Sequence, residues 1–381
     1  MSRSKNIAIS GTGLYVPPFA IGNEELVGSY NRFAERFNAE NADAVAAGTV
    51  APMEKSDVAF IEKASGIKNR FMMEGEAVID PALLRSKLSP LADEDIFGQP
   101  VSVKMSLAAA EQAMAQAGVS GDEIDLVIYA SSVSERVVPS IACEIQKNIG
   151  SKGFAYDMAM ACSSATFGIS SAFDAITSGM AGRVLVITCE YISPLIDHRN
   201  RDNHFIFGDA AVAMIIEDES LSKTDTLFRI ISRKLHTDFS KNIRAGYGTR
   251  MMAESDPDTM SNPVWRFSQE GRTVFRELVP AVINHVRTHL GDEGLQVDDI
   301  RRMWLHQANI HMNQMAARKL LGTEPTMDKS PVILDEFANT AGAGVMIAFH
   351  KYRDDFKPGE KGMACSFGAG YSIGSLLVEK Q

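Results

Sequence analysis

Apolar positions along this chain fall into two alternating rhythms. Short, nearly continuous apolar runs such as IDLVIYA, GRVLVITCE and KGMACSFG predict strands buried on both faces. Between them, apolar residues three and four positions apart predict amphipathic helices over Met105–Ala117, Ser163 to about Ser178, and Gly271–Leu290. Strands that alternate with helices in this way predict an α/β fold with helices packed on both faces of its sheets.

The alternation occurs twice. GVSGDEIDLVIYASS, from Gly118, and GLQVDDIRRMWLHQAN, from Gly294, each follow a long helix and pass through an acidic turn into a strand. From Ile124 to Cys162 is 38 positions (162 − 124), and from Ile300 to Asn339 is 39 (339 − 300). Cys162 to Val186 and Asn339 to Met363 are then both 24 (186 − 162 and 363 − 339). Register kept over such a length marks a duplicated unit. It divides the chain into halves at about 1–217 and 218–381, and places Cys162 and Asn339 at equivalent helix starts beside one shared centre. His306, at the end of the strand in LHQAN, projects to the same place. The stretches 35–57 and 74–100 break the alternation and read as additions to the first half. Residues 236–266 read as one long polar connection.

The candidate chemistry centres on Cys162 in FAYDMAMACSSATFG. A thiol at a strand-to-helix turn meets unpaired backbone N–H groups and the positive end of a helix dipole, so a stabilised thiolate is expected there. Composition narrows the setting. A formal charge of −10 and a pI near 5.4 exclude a broad nucleic-acid surface. Four scattered cysteines form neither a disulfide framework nor a zinc spacing, so no metal and a reducing, cytoplasmic setting are expected. No stretch approaches the roughly 20 apolar residues of a membrane span, and the N-terminus lacks the apolar core of a signal peptide.

Taken together, ISGTGLYVPP, PSIACEIQKNIG, ACSSATFG, FIFGDAAVA, HQAN, NTAGAG and SFGAGYSIGS resemble the β-ketoacyl-acyl carrier protein synthase III family of the thiolase superfamily, over essentially the whole chain. CSSATFG, SFGAGYS and the extra N-terminal segments resemble the branch that takes medium-chain primers, the β-ketodecanoyl synthases. The resemblance implies a thiolase-like, five-layered αβαβα fold. It implies decarboxylative Claisen condensation of an acyl-CoA with malonyl-acyl carrier protein by a cytoplasmic homodimer. Coenzyme A thioester is a substrate there, and no cofactor is implied. Another thiolase-fold acyltransferase, or a polyketide or secondary-metabolite condensing enzyme, stands as the alternative. A papain-like Cys-His hydrolase fits the order of residues but not the repeat.

By the same resemblance Cys162 is the nucleophile, and His306 and Asn339 stabilise an enolate oxygen. Phe207 walls the site, and backbone N–H groups of Cys162 and of the Gly368-Ala369-Gly370 loop receive the acyl oxygen, with Ala369 standing where most relatives have glycine. Phe60 and Arg201 (or Arg199) are the expected adenine contacts, and Val138 the expected end of the partner's acyl tunnel, with room for a primer of about eight carbons. Gly271 and Asn309 are implied on the substrate path. With His311 in place of a family arginine, the carrier is expected to dock on Arg272, Arg276 or Lys319. Cys365 is one position short of the second cysteine of degradative thiolases, which falls at Ser366, so Cys365 is read as structural.

Overall fold

In the computed structural model, residues 5–84, 98–246 and 267–381 are described. The first half runs β1 (Ile7–Tyr15), β2 (Phe19–Gly22), α1 (Asn23–Glu40), α2 (Ala42–Ala46), α3 (Val58–Ser65), β3 (Asn69–Met72), α4 (Gly75–Ile79) and α5 (Val101–Ala117). It continues with β4 (Leu126–Ala130), α6 (Ile141–Ile149), β5 (Phe154–Met158), α7 (Ser164–Thr177), β6 (Arg183–Glu190) and β7 (Ala210–Asp218). The second half runs β8 (Phe228–Ser240), β9 (Ile243–Arg244), β10 (Ser268–Gln269), α8 (Gly271–Asp292), β11 (Ile300–Leu305), α9 (Ile310–Leu321), α10 (Leu334–Phe337), α11 (Gly344–Lys351), β12 (Lys361–Gly368) and β13 (Gly370–Lys380).

Nine of these strands join in the order β11-β12-β13-β8-β1-β7-β6-β4-β5. The link between halves is narrow: β1 meets β8 only at Ala8–Arg229 and Ile9–Phe228. On either side the pattern repeats. β4 runs parallel to β6, as β11 does to β12, and each pair is followed by antiparallel β7 or β13. The second half has no counterpart of β5 among the described residues; residues 331–333 lie in no strand.

Side-chain alternation along the strands builds the layers. Ile128, Val186 and Val212 point into a central core shared with Ile169 of α7 and with Val345, Ile347 and Phe349 of α11. Their neighbours Val127, Leu185 and Ala211 point outward against Ala109 of α5 and Ile145 of α6. In the second half Met303, Leu305 and Met363 pack outward on Leu278, Val282 and Ala316 of α8 and α9. The result is five layers, helices outside and between two half-sheets. Strand and helix approach closely where side chains are missing. A Cβ on Gly13 of β1 would lie 2.0 Å from the Ala109 carbonyl of α5.

The helices expected over 105–117, 163–178 and 271–290 are present within a few residues of those bounds. The irregular segments differ from expectation. Residues 35–40 complete α1 and 42–46 form α2, because an exposed polar helix carries too little apolar periodicity to stand out. Gly75–Ile79 is helical, while 85–97 lie outside the described residues. His236–Ser240 belongs to β8 rather than to a connection, since its partner β13 satisfies its backbone while its side chains stay exposed; residues 247–266 lie outside the described set. No helix among the described residues is long and apolar enough to cross a membrane.

Packing this dense also silences histidine. Of the eight histidines, His198, His285, His289, His306 and His350 are pushed down to about 4 by burial, and His204 to about 3. Each takes its proton more readily in the unfolded chain, at about pH 6.5, than in the fold. Stability from these groups is therefore lost as pH falls from about 6.5 towards 4. Glu190 and Asp209, raised to about 7 and about 6 by burial, act in the opposite sense over this window but are outnumbered. Melting temperature is expected to drop steadily between pH 6.5 and 4.5 in differential scanning fluorimetry; a flat profile there contradicts the account.

Candidate active site

The thiol of Cys162 sits in a single 3-10 turn, Ala161–Ser163, that leads into α7. Ala161 has φ +46°, a left-handed conformation unfavourable for a residue with a Cβ. Beneath the thiol ends β12. A Cβ at Gly368 would lie 2.6 Å from Cys162 Cβ and 3.0 Å from Sγ, so only glycine lets the strand pass there. Burial, and next the charge of Glu190, push the Cys162 thiol up to about 12, while backbone hydrogen bonds from Ala369 and from Cys162 itself act in the thiolate's favour. The thiolate expected from the helix start is thus not the resting form. Exclusion from water outweighs the dipole, a balance that local sequence does not reveal.

His306 follows β11, and its backbone N–H donates to the Cys365 carbonyl (2.9 Å), extending the β11–β12 pairing by one step. Its ring meets Phe367 edge-on at 5.3 Å. Nδ1 has no hydrogen-bond partner among the described residues, and the ring is neutral at pH 7.

Asn339 lies between Ala338, with φ +56°, and a second 3-10 turn, Ala341–Ala343, which begins at φ +42° and leads into α11. Its N–H donates to the Ile206 carbonyl (2.9 Å), and the Gly208 N–H donates to its carbonyl (3.2 Å), fastening it beside Phe207. The side-chain oxygen accepts from the Ala341 N–H (2.9 Å). That bond fixes the amide's orientation and leaves Nδ2 as its donor.

Cys162, His306, Asn339, Phe207, Gly368 and Ala369 line one cavity of about 400 Å³. Phe207 is buried and meets Phe267 edge-to-face at 4.8 Å. Ile192, Leu195, Ile196, Val274, Leu278 and Met312 make the remaining wall mostly apolar. The two turns do not match as the repeat suggested. Turn 161–163 aligns with 341–343, so the counterpart of Cys162 is Gly342 and Asn339 stands three residues earlier. Spacing in the two halves was compared across the place where only the first has β5.

Other expected positions lie apart from the cavity. Arg201 stands 5.5 Å over the half-exposed Phe60 ring, with its Nε donating to the Lys55 carbonyl and an ion pair to Glu54. Arg199 instead pairs with Asp197. Val138 is 81% exposed and lines no part of this chain's cavity. Gly271 is the exposed first residue of α8 and lies outside the cavity wall. Asn309 also lies outside it: its side chain caps α9 through the His311 N–H and donates to the Ala64 carbonyl. His311 itself bonds to the Lys63 carbonyl. Arg276 and Lys319 flank an outer groove between α8 and α9, and Arg272 lies outside that groove. Cys365 is fully buried with its thiol pushed up to about 12, and Ser366 is tied to Thr166.

Two residues that sequence reasoning passed over belong to the site. Phe267 adds an aromatic wall, and Glu190, at the end of β6, lies close enough to Cys162 for its charge to act on the thiol. The sequence signal for Glu190 is a lone acid closing the apolar run GRVLVITCE.

Residues 156–238 match the family described as 3-oxoacyl-[acyl-carrier-protein (ACP)] synthase III, and 290–380 match its C-terminal part. A β-ketodecanoyl-[acyl-carrier-protein] synthase from Pseudomonas aeruginosa is 42% identical over 92% of this chain and 99% of its own length. A β-ketoacyl-[acyl-carrier-protein] synthase III from Novosphingobium aromaticivorans is 31% identical over 84% of this chain and 89% of its own. The crystal structure of 3-oxoacyl-[acyl-carrier-protein] synthase III from Aquifex aeolicus superposes with a TM-score of 0.74 at 23% identity, covering 98% of this chain and 99% of that one, a likeness of fold. With a thiol, an imidazole and a carboxamide around one apolar cavity in a duplicated five-layered fold, the chain belongs to the 3-oxoacyl-[acyl-carrier-protein] synthase III family of condensing acyltransferases.

Proposed function

We propose that this condensing enzyme joins a medium-chain acyl-CoA, of about eight carbons, to malonyl-acyl carrier protein through an acyl-cysteine at Cys162. The observation that carries the chemistry is the convergence of Cys162, His306 and Asn339 on one cavity, with the Asn339 oxygen already engaged. Sulfur attacks the thioester carbonyl, coenzyme A leaves as its thiol with the cysteine proton, and acyl-enzyme remains. Backbone N–H groups of Cys162 and Ala369 receive the acyl oxygen.

Malonyl-acyl carrier protein then loses CO₂. The electrons of the broken C–C bond pass to an enolate whose oxygen accepts hydrogen bonds from His306 and from Asn339 Nδ2. Such donors are typically worth about 3–4 kcal/mol each in oxyanion sites. The enolate carbon attacks the acyl-cysteine carbonyl, the sulfur leaves as a thiolate that takes a proton from solvent to restore the thiol, and β-ketoacyl-acyl carrier protein is formed. Phe207 and Phe267 offer no hydrogen bond to the malonyl carboxylate, so its loss as neutral CO₂ is favoured.

The medium-chain primer is supported by the name of the Pseudomonas relative and by the aliphatic walls at Ile192, Leu195, Ile196 and Leu278. Phe60 under Arg201 offers a flat, cationic platform for the adenine of coenzyme A. Arg276 and Lys319 offer positive charge to an acidic carrier. Val138 is free to enter the cavity of a second copy, so a cytoplasmic homodimer completes the tunnel. Gly271 and Asn309 act, if on the substrate path, from outside the cavity wall. The reaction as written uses coenzyme A thioester as substrate and draws on no resident cofactor or metal.

Cys162→Ala is expected to abolish acyl-enzyme in intact mass spectra after incubation with octanoyl-CoA. His306→Ala and Asn339→Ala are expected to acylate normally yet condense about 10²- to 10³-fold more slowly; equal loss of acylation in all three contradicts this division of roles. In steady-state rates across acyl-CoA lengths, an optimum near eight carbons is expected. An optimum at acetyl-CoA overturns the primer assignment.

A further inference from the structure

The carboxylate of Glu190 is fully buried, and no ion pair joins it to a cation among the described residues. Its Oε1 accepts from the backbone N–H groups of Gly342 (3.1 Å) and Ser132 (3.1 Å). Its Oε2 accepts from the Ser132 hydroxyl and, weakly, from the Ser132 N–H (3.3 Å) and the Ser131 hydroxyl (3.4 Å). Ser132 is on the cavity wall. Gly342 belongs to the turn whose first N–H, from Ala341, holds the Asn339 oxygen.

The placement follows from the repeat. β6 and β12 are equivalent strands that end at Glu190 and Gly368, offset by 178 (368 − 190), and the two 3-10 turns are offset by 180 (341 − 161). The strand end of each half lies under the turn of the other: Gly368 under Cys162, and Glu190 under Gly342. The chain has exchanged which partner carries the side chain. In one contacting pair the turn bears Cys162 and the strand end is bare, and in the other the strand end bears an acid and the turn is bare, so the first half supplies both side chains and the second half both glycines. A Cβ on Gly342 would lie 2.7 Å from Glu190 Oε1 and 3.3 Å from the Ala161 carbonyl, so the carboxylate stands beside the turn that carries Cys162.

We propose that Glu190 is a positioning residue of the reaction: its carboxylate clamps the Asn339 turn to the Ser132 rim, and its negative charge opposes thiolate formation at Cys162. The titratable groups that face it are Cys162, Tyr129 of β4 and its neighbour Cys189. Tyr129 and Cys189 are both pushed up by burial and stay neutral, so the charge is felt chiefly at Cys162. Burial raises Glu190 itself to about 7, so its charge appears as pH rises through neutrality, as the thiol begins to matter. The clamp bears on condensation and therefore rests on the reading of function above; the charge effect on the thiol does not.

Two variants separate the parts. Glu190→Gln keeps the shape, because its oxygen can take the two backbone N–H groups while its NH₂ faces serine hydroxyls that can turn to accept. Glu190→Ala removes the clamp and leaves both N–H groups without an acceptor. Alkylation of Cys162 by iodoacetamide, followed on its own peptide by mass spectrometry, is expected to run about tenfold faster at pH 8 in Glu190→Gln than in wild type. Glu190→Ala is expected to acylate from octanoyl-CoA but to lose at least tenfold in malonyl decarboxylation per acylated enzyme. An unchanged alkylation profile in Glu190→Gln overturns the charge effect. Normal decarboxylation in Glu190→Ala, or equal loss of acylation and decarboxylation, overturns the clamp. If wild-type protein acylates but never condenses, the functional reading fails while the alkylation result still stands.

Discussion

The site depends on one close approach: the end of β12 passes directly beneath the start of α7, at a distance that leaves no room for a Cβ on Gly368. Two helix starts and two strand ends meet at the centre of the molecule, and their backbones are packed too tightly for side chains on both members of a pair. The left-handed alanines at 161, 338 and 341 show where the backbone bends to make this possible. Strain of this kind persists only where the surroundings hold it, and here the five layers do so through a continuous apolar core on both sides of α7 and α11.

Much of that arrangement could be read from residues alone, and the failures have physical causes. The long strands and helices are visible because burial on both faces writes a strong period into them. Cys162, His306 and Asn339 are visible because each stands at the end of such an element, in a short polar or small-residue motif. Their exact correspondence is not. Cys162 and Asn339 share a register by counting, yet Cys162 aligns with Gly342, since the second half has no counterpart of β5 among the described residues and α10 precedes Asn339. Helices at 35–46 were hidden by their polarity, and the strand at 236–240 by its exposed side chains.

Residues expected to act outside their own chain's cavity or through the backbone are the least legible. Val138 lines nothing in its own chain, and Asn309 turns out to hold α9 against α3 rather than face the cavity. Phe60 and Arg201 come from segments 141 positions apart (201 − 60), and their pairing rests on how α3 folds back over the loop before β7. Ionisation is illegible for a different reason. A helix start argues for a thiolate, but the answer depends on how much water reaches the sulfur and on what lies behind it.

The resulting electrostatics have a direct chemical consequence. Arg244 of β9 lines the described cavity, but with the thiol protonated, the imidazole neutral and the asparagine uncharged, Cys162, His306 and Asn339 themselves place no positive charge on the reacting atoms. A cation there would stabilise the malonyl carboxylate as much as the enolate that follows it, and binding both equally gains nothing in rate. In the proposed condensation, neutral donors aimed at the enolate oxygen would instead strengthen as negative charge moves onto that atom, while an apolar wall at Phe207 would penalise a carboxylate facing it. In the proposed reaction the same neutrality would delay attack by Cys162 until a thioester fills the cavity and its departing sulfur can take the proton. An empty site would thereby be kept unreactive, and under the role proposed for Glu190 its charge, which appears near neutral pH, would push in the same direction.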